Sequence, residues 1–371
     1  MKLAFSEDQE ELRKTVRRFL QDRSPESAVR QLMTTTEGYD PAVWRQMGEQ
    51  LGLQGLAIPE DYGGSGFTYI ELIAVMEEMG RALLCAPYFS SVVMAANLLL
   101  ALADHDGCAE FLPPIADGTR IATVALAEEP GTWDAAGVAL AATGSGRDWS
   151  LTGEKLYVLD GMIADLVLVV ARTPGGFSVL AVDGDADGFS ATDLPALDQT
   201  RKHAKLTFAS TPARLIGGEG EAWPAVAKML DLAIVALAAE QVGGAQQVLE
   251  SAVEYAKCRV QFGRPIGSFQ AIKHKCADML VRVECARSAA YYAGWVAAEG
   301  SEDLAVAAAL AKSYCSEAFF EVAAENIQIH GGIGFTWEHS AHLYFKRAKS
   351  SELFLGDPVR HRDRVAENIG A

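Results

Sequence analysis

Three long alanine-rich runs fill the C-terminal part of the chain: AVAKMLDLAIVALAAEQVGGAQQVLESAVEYAKCRV, FQAIKHKCADMLVRVECARSAAYYAGWVAAE and LAVAAALAKSYCSEAFFEVAAENIQIH. Each is many turns too long for a strand, and alanine-rich faces let helices pack closely, so together they require a helical bundle. The preceding stretch reads otherwise. Between about 119 and 217 the runs IATVALA, AGVALAA, DWSLTG, KLYVL, DLVLVVA, FSVLAV and KLTFA are short and β-rich, and PGT, GSG, DGM, PGG and DGDADG punctuate them. That is the rhythm of a small β-barrel or sandwich. GSG at 144–146 lacks a phosphate-loop frame and reads as a hairpin turn. Residues 1–118 are helical again, with Ser6 as N-cap of SEDQEELRKTVRRFL, a loop at AIPEDYGGSGFT, and helices over IELIAVMEEMG and SVVMAANLLLALA. The expectation is an α+β chain of three domains: 1–118 helical, 119–217 β, and 218–371 a four-helix bundle.

With 371 residues and a net charge of −17, the chain is unsuited to nucleic acid or anionic membranes as general partners. No apolar run reaches the ~20 residues of a spanning helix. The opening MKLAFSEDQEELRK lacks the basic-then-apolar order of a leader, so a cytoplasmic location is expected. Six scattered cysteines show no metal spacing and read as small buried hydrophobes, and no metal site is expected.

Against this acidic background RVQFGRPIGSFQ, 259–270, puts two arginines and two phenylalanines around three breakers. Arginine's fork of donors matches phosphate oxygens, and Phe262 and Phe269 could wall off a planar ring; a plain solvated turn is the alternative. QIHGGIGFTWEHSAHLYFKRAK follows a helical run with Gly331 and Gly332, where backbone N–H groups can approach a phosphate closely. Beyond them Lys346, Arg347, Lys349, Arg360, Arg362 and Arg364 form a basic segment in an otherwise acidic chain, and Lys273 and Lys275 add further positive charge.

With SEDQEELRKTVRRFL, LGLQGLAIPEDYGGSGF and KLYVLDGMIADLVLVVART, these segments make the chain resemble the acyl-CoA dehydrogenase family, in the family's order and over nearly the full length. The resemblance implies the three-domain fold above and FAD held across a subunit interface. It implies an acyl-CoA substrate of fatty acid or steroid side-chain β-oxidation, and electron-transfer flavoprotein as acceptor. It places Arg259 on the pyrophosphate of a neighbour's FAD, with Phe262, Gln270, Gln328, Gly331 and Gly332 at FAD-contact positions. The reaction implied is α,β-dehydrogenation, in which a carboxylate takes the α-proton.

The two family positions for that carboxylate carry Leu355, in SSELFLGDP, and Ala233, in LDLAI. Glu128 and Leu159 stand where the family has threonines beside the flavin. Glu240, two helical turns past Ala233, is the candidate base, with a structural role as its alternative. Two assemblies follow. One is a homotetramer that is competent alone. The other is an α2β2 heterotetramer in which this chain lacks a base and supplies part of the FAD site to a catalytic sister subunit.

Overall fold

The computed structural model describes residues 5–370; residues 1–4 of the stretch read above for a leader lie outside them. The α-helices before the sheet are α1 (Glu7–Arg23), α2 (Glu26–Leu32), α3 (Pro41–Glu49), α4 (Tyr69–Arg81), α5 (Asn97–Leu102), which a π-helix at Phe89–Ala96 leads into, and α6 (His105–Ala116). Seven strands follow: β1 (Ala122–Ala125), β2 (Ala142–Ser145), β3 (Asp148–Leu159), β4 (Leu166–Thr173), β5 (Gly176–Asp183), β6 (Phe189–Leu194) and β7 (His203–Ile216). Then come α7 (Trp223–Cys258), a two-residue hairpin of β8 (Val260–Gln261) and β9 (Arg264–Pro265), α8 (Gln270–Glu299), α9 (Leu304–His330), α10 (Ala341–Leu353) and α11 (Pro358–Ile369). Among the described residues no helix is long and apolar enough to cross a membrane.

The chain divides into two compact units. One gathers the residues up to Val29, Tyr69–Leu84 and everything from Ile234 onward. Its first helix starts at the expected cap: Ser6 and Gln9 exchange side chain-to-backbone hydrogen bonds at 3.2 and 2.8 Å, which satisfies two end groups of α1. Small residues set its packing. A Cβ on Gly80 would lie 1.9 Å from the Glu240 carbonyl oxygen, and one on Gly243 only 1.7 Å from that of Glu77. The backbones of α4 and α7 therefore touch, and only glycine permits it. Ion pairs to two buried carboxylates flank the crossing: Arg17 grips both oxygens of Glu78 at 2.6 and 2.7 Å, and Glu77 holds Arg287 and accepts from the Tyr291 hydroxyl at 2.6 Å.

The other unit comprises Arg30–Thr68 and Cys85–Ala233. Its sheet runs β1-β4-β5-β7-β3-β2, with β6 added on β7. The first half of β7 lies between β3 and β6, while its far end turns to pair with β5, so the sheet forks there. Leu151, Val167, Val169, Leu180, Val182, Leu206 and Phe208 fill its core. DWSLTG and KLYVL prove to be one strand, β3, bent by register shifts after Leu151 and Lys155. Of the predicted turn at 144–146, Gly144 and Ser145 are the last paired residues of β2, and Gly146, at φ +62°, closes the β2–β3 hairpin with Arg147. Two segments of the sheet differ from the sequence reading. AGVALAA carries a 3-10 turn at Ala135–Gly137 in place of a strand, and the exposed strand β6 lacks the apolar run by which it could have been found. Of the cysteines only Cys85, Cys108 and Cys315 are buried; Cys258 and Cys285 are exposed and Cys276 is intermediate.

Candidate functional site

The elbow begins where α7 stops at Cys258. The Arg259 N–H donates to the Tyr255 carbonyl and the Arg259 carbonyl accepts from Ile266, both at 2.8 Å, which closes a tight loop. Phe262 and Gly263 form its tip at φ +53° and +77°, the left-handed pair that a two-residue hairpin needs. Glycine adopts this conformation without strain; phenylalanine does so at a cost of ~1–2 kcal/mol. The Phe262 ring is 91% exposed and meets Phe269 edge-on at 6.1 Å, while the Arg264 guanidinium lies 4.1 Å over Phe269. Arg259 and Gln270 are exposed, and among the described residues the Arg259 guanidinium has no partner. A strained, solvent-facing aromatic tip beside an unpaired cation is not how a chain buries apolar surface for its own stability.

The corner forms where α9 ends at His330. Gly331 sits at φ +63°, and a Cβ on Gly331 or Gly332 would meet nothing within 4 Å, so packing inside this chain does not require either glycine. Gln328 is exposed on the last turn of α9. His330 is buried; its Nδ1 lies 2.8 Å from the Asn326 carbonyl, and its ring stacks on Tyr255 at 4.3 Å and meets His339 at 4.2 Å. Burial pushes its pKa down, and His339 adds to the fall. Tyr255 stands one turn before Arg259, so this stack ties corner to elbow. The ends of α7 and α9 and the start of α8 thereby present Arg259, Phe262, Gln270, Gln328, Gly331 and Gly332 on one end of the bundle.

The expected base positions are apolar and buried: Ala233 lies inside α7, and Leu355 lies in the turn between α10 and α11 at φ +62°. Two buried side chains clamp that turn. Lys312, fully enclosed, donates to the Ser351 and Glu352 carbonyls at 2.8 and 3.0 Å, where a cation complements the C-terminal end of α10. His361 Nε2 lies 3.0 Å from the Leu355 carbonyl. Glu240 is also buried, and its Oε1 is 2.7 Å from Arg347 Nη1, itself buried. Glu128 accepts from the Ala139 and Leu140 N–H groups and from Lys155 Nζ at 2.7 Å, so its oxygens are engaged. Burial takes Lys155 down to about 8 although Glu128 pulls it up.

Part of the basic segment is paired within the chain: Arg347 with Glu240, Lys349 with Glu352 and Arg362 with Glu317; on α8, Lys275 pairs with Glu325. The sequence reading missed Lys312, and it weighed His361 only as a metal ligand without the spacing for one. A lysine set in the alanine run LAVAAALAKSY is the signal that could have found the first.

Set against known proteins, residues 6–119, 123–210 and 220–370 match the N-terminal, middle and C-terminal domain descriptions of acyl-CoA dehydrogenases. Acyl-CoA dehydrogenase IpdE2 of Mycolicibacterium smegmatis is 36% identical over 369 residues, covering 98% of this chain and all of the relative. The chain belongs to the acyl-CoA dehydrogenase family. Butyryl-CoA dehydrogenase of Megasphaera elsdenii superposes with a TM-score of 0.93 at 26% identity, with all of both chains covered. A chain of the ChsE4-ChsE5 complex from Mycobacterium tuberculosis superposes at 0.91 and 30% identity, covering 100% of this chain and 99% of the other. This acyl-CoA dehydrogenase has the family's helical, sheet and helical architecture and is a flavoprotein oxidoreductase that uses FAD.

The clamp on the Leu355 turn gives a pH prediction. Burial takes His361 from its ordinary 6.5 to about 4, against the upward pull of the Leu355 carbonyl, while Lys312, Arg364 and Arg360 lower it further. Between those values the unfolded chain binds more protons than the folded one. This contribution is therefore full above pH 6.5 and is lost as pH falls through 4, by up to about 3 kcal/mol. Urea midpoints from pH 4 to 7 are expected to flatten in His361→Gln, which keeps a donor for the Leu355 carbonyl. An unchanged slope would assign the acid sensitivity elsewhere.

Proposed function

We propose that this chain is the partner subunit of a heteromeric, α2β2 acyl-CoA dehydrogenase. It helps to hold FAD through Arg259, Phe262, Gln270, Gln328, Gly331 and Gly332, and leaves removal of the α-proton to a carboxylate of a sister subunit. The observation that carries this reading is the Glu240–Arg347 pair. A general base needs a lone pair within reach of the substrate proton. Protonating Glu240 would instead remove a negative charge from beside a buried guanidinium, which costs several kcal/mol. With Ala233 and Leu355 apolar, neither family position offers an alternative.

The donor set suits the nucleotide half of FAD. The free Arg259 fork matches phosphate oxygens, open glycine backbone lets an anion approach, and the Phe262 ring can cover an apolar surface. Bound FAD supplies the hydride acceptor; this chain's part is to grip and orient. Two-component names among the similar structures favour the pairing: the ChsE4-ChsE5 complex, and the Tcur3481-Tcur3483 steroid ACAD at 32% identity and TM-score 0.88. On this reading the substrate is an acyl-CoA, the acceptor is electron-transfer flavoprotein, and the assembly works in the cytoplasm.

The test is expression alone and with a sister subunit, reading bound flavin by absorbance and its bleaching by acyl-CoA. Flavin loading and bleaching are expected only in the pair. Glu240→Gln should leave bleaching intact, whereas Arg259→Ala should weaken flavin retention about 10- to 100-fold, as loss of a charge-assisted hydrogen bond implies. A yellow homotetramer that bleaches alone, and ceases to do so as Glu240→Gln while still folded, would restore Glu240 as the base.

A further inference from the structure

A cavity of about 350 Å3 lies within the first unit, walled by α1, α2, α4, α7, α9 and α10. That is near the lower end of small-molecule pockets, roughly 300–1,000 Å3. Its charges cancel: Arg17 and Arg81 line it together with Glu26 and Glu78. Both arginines are already gripped, Arg17 by the two oxygens of Glu78 and Arg81 by Glu250. A phosphate or carboxylate would find no free cation there and would face two glutamates.

What remains is neutral. Asn326 is only 1% exposed, lines the cavity, and its Oδ1 has no hydrogen-bond partner. A buried amide oxygen left without a donor costs about 1–3 kcal/mol, so it is kept where a ligand can supply one. Gln247 and Ser251 of α7 and Ser340 beside α10 add further amide and hydroxyl groups, and Leu20 and Leu343 add apolar walls.

We propose that this cavity binds a neutral purine nucleoside, with the exocyclic amine donating to Asn326 Oδ1. A carboxamide offers an acceptor and a donor side by side, the pairing that reads an adenine edge. The apolar walls suit the ring faces, and the serines suit sugar hydroxyls. Nothing in this assignment depends on which subunit holds the base.

The experiment is calorimetric titration of the flavin-loaded assembly with adenosine and with AMP. Adenosine is expected to bind without displacing flavin, and AMP to bind at least about tenfold more weakly, because its phosphate lacks a cation. Asn326→Leu should lower adenosine affinity at least about tenfold while the unliganded unfolding midpoint holds or rises, since the change removes an unsatisfied polar group. The proposal fails if millimolar adenosine gives no binding, if AMP binds equally well, or if adenosine acts by releasing flavin. It fails equally if Asn326→Leu binds adenosine normally or unfolds more easily than the parent.

Discussion

Leu355→Glu, in an FAD-loaded pair whose sister subunit has had its catalytic carboxylate replaced by glutamine, is expected to bleach with acyl-CoA about 10²–10⁴ times faster than the same pair carrying the parent chain. That is the usual contribution of a positioned general base. The gain should require a carboxylate: Leu355→Gln, of the same shape, should stay at the parent rate. The rate should rise with pH as the new group ionises, at a pKa lifted by burial. The turn is prepared to carry such a group. Leu355 already holds a left-handed φ of +62°, and Lys312 and His361 fix the backbone on either side. A folded, flavin-loaded Leu355→Glu chain no faster than its glutamine counterpart would show that this turn does not face the substrate.

Arg347→Ala is expected to lower folding stability by about 3–5 kcal/mol, the cost of breaking a buried ion pair by removing one member. Replacing both residues, as Glu240→Leu with Arg347→Met, should recover most of the loss, because two apolar groups of similar volume remove both desolvation penalties together. Urea midpoints of the two variants and the parent decide it. A double variant no more stable than Arg347→Ala would mean that the pair organises more of the bundle than its own contact.

The helix–sheet–helix order was legible because period and punctuation are local. Ser6 and Gln9 announce a helix start three residues apart, and Gly146 marks a hairpin by its own backbone freedom. Strand β6 was not legible, since FSATDL is half exposed and lacks an apolar face. The elbow and corner stood out as motifs, because glycine, proline and arginine have strong individual chemistry. That His330 and Tyr255 stack to join them did not.

Alternation, alanine content and breakers set which segments coil and which extend, along with the absence of a carboxylate at two family positions; each depends on neighbours a few residues away. Only the tertiary structure decided that Glu240 meets Arg347 across 107 residues, that Lys312 caps the end of α10, and that Asn326 faces a cavity with its oxygen unmatched. The physical reason is that the cost of a buried charge or amide depends on what other helices place beside it, and spacing along the chain does not record that.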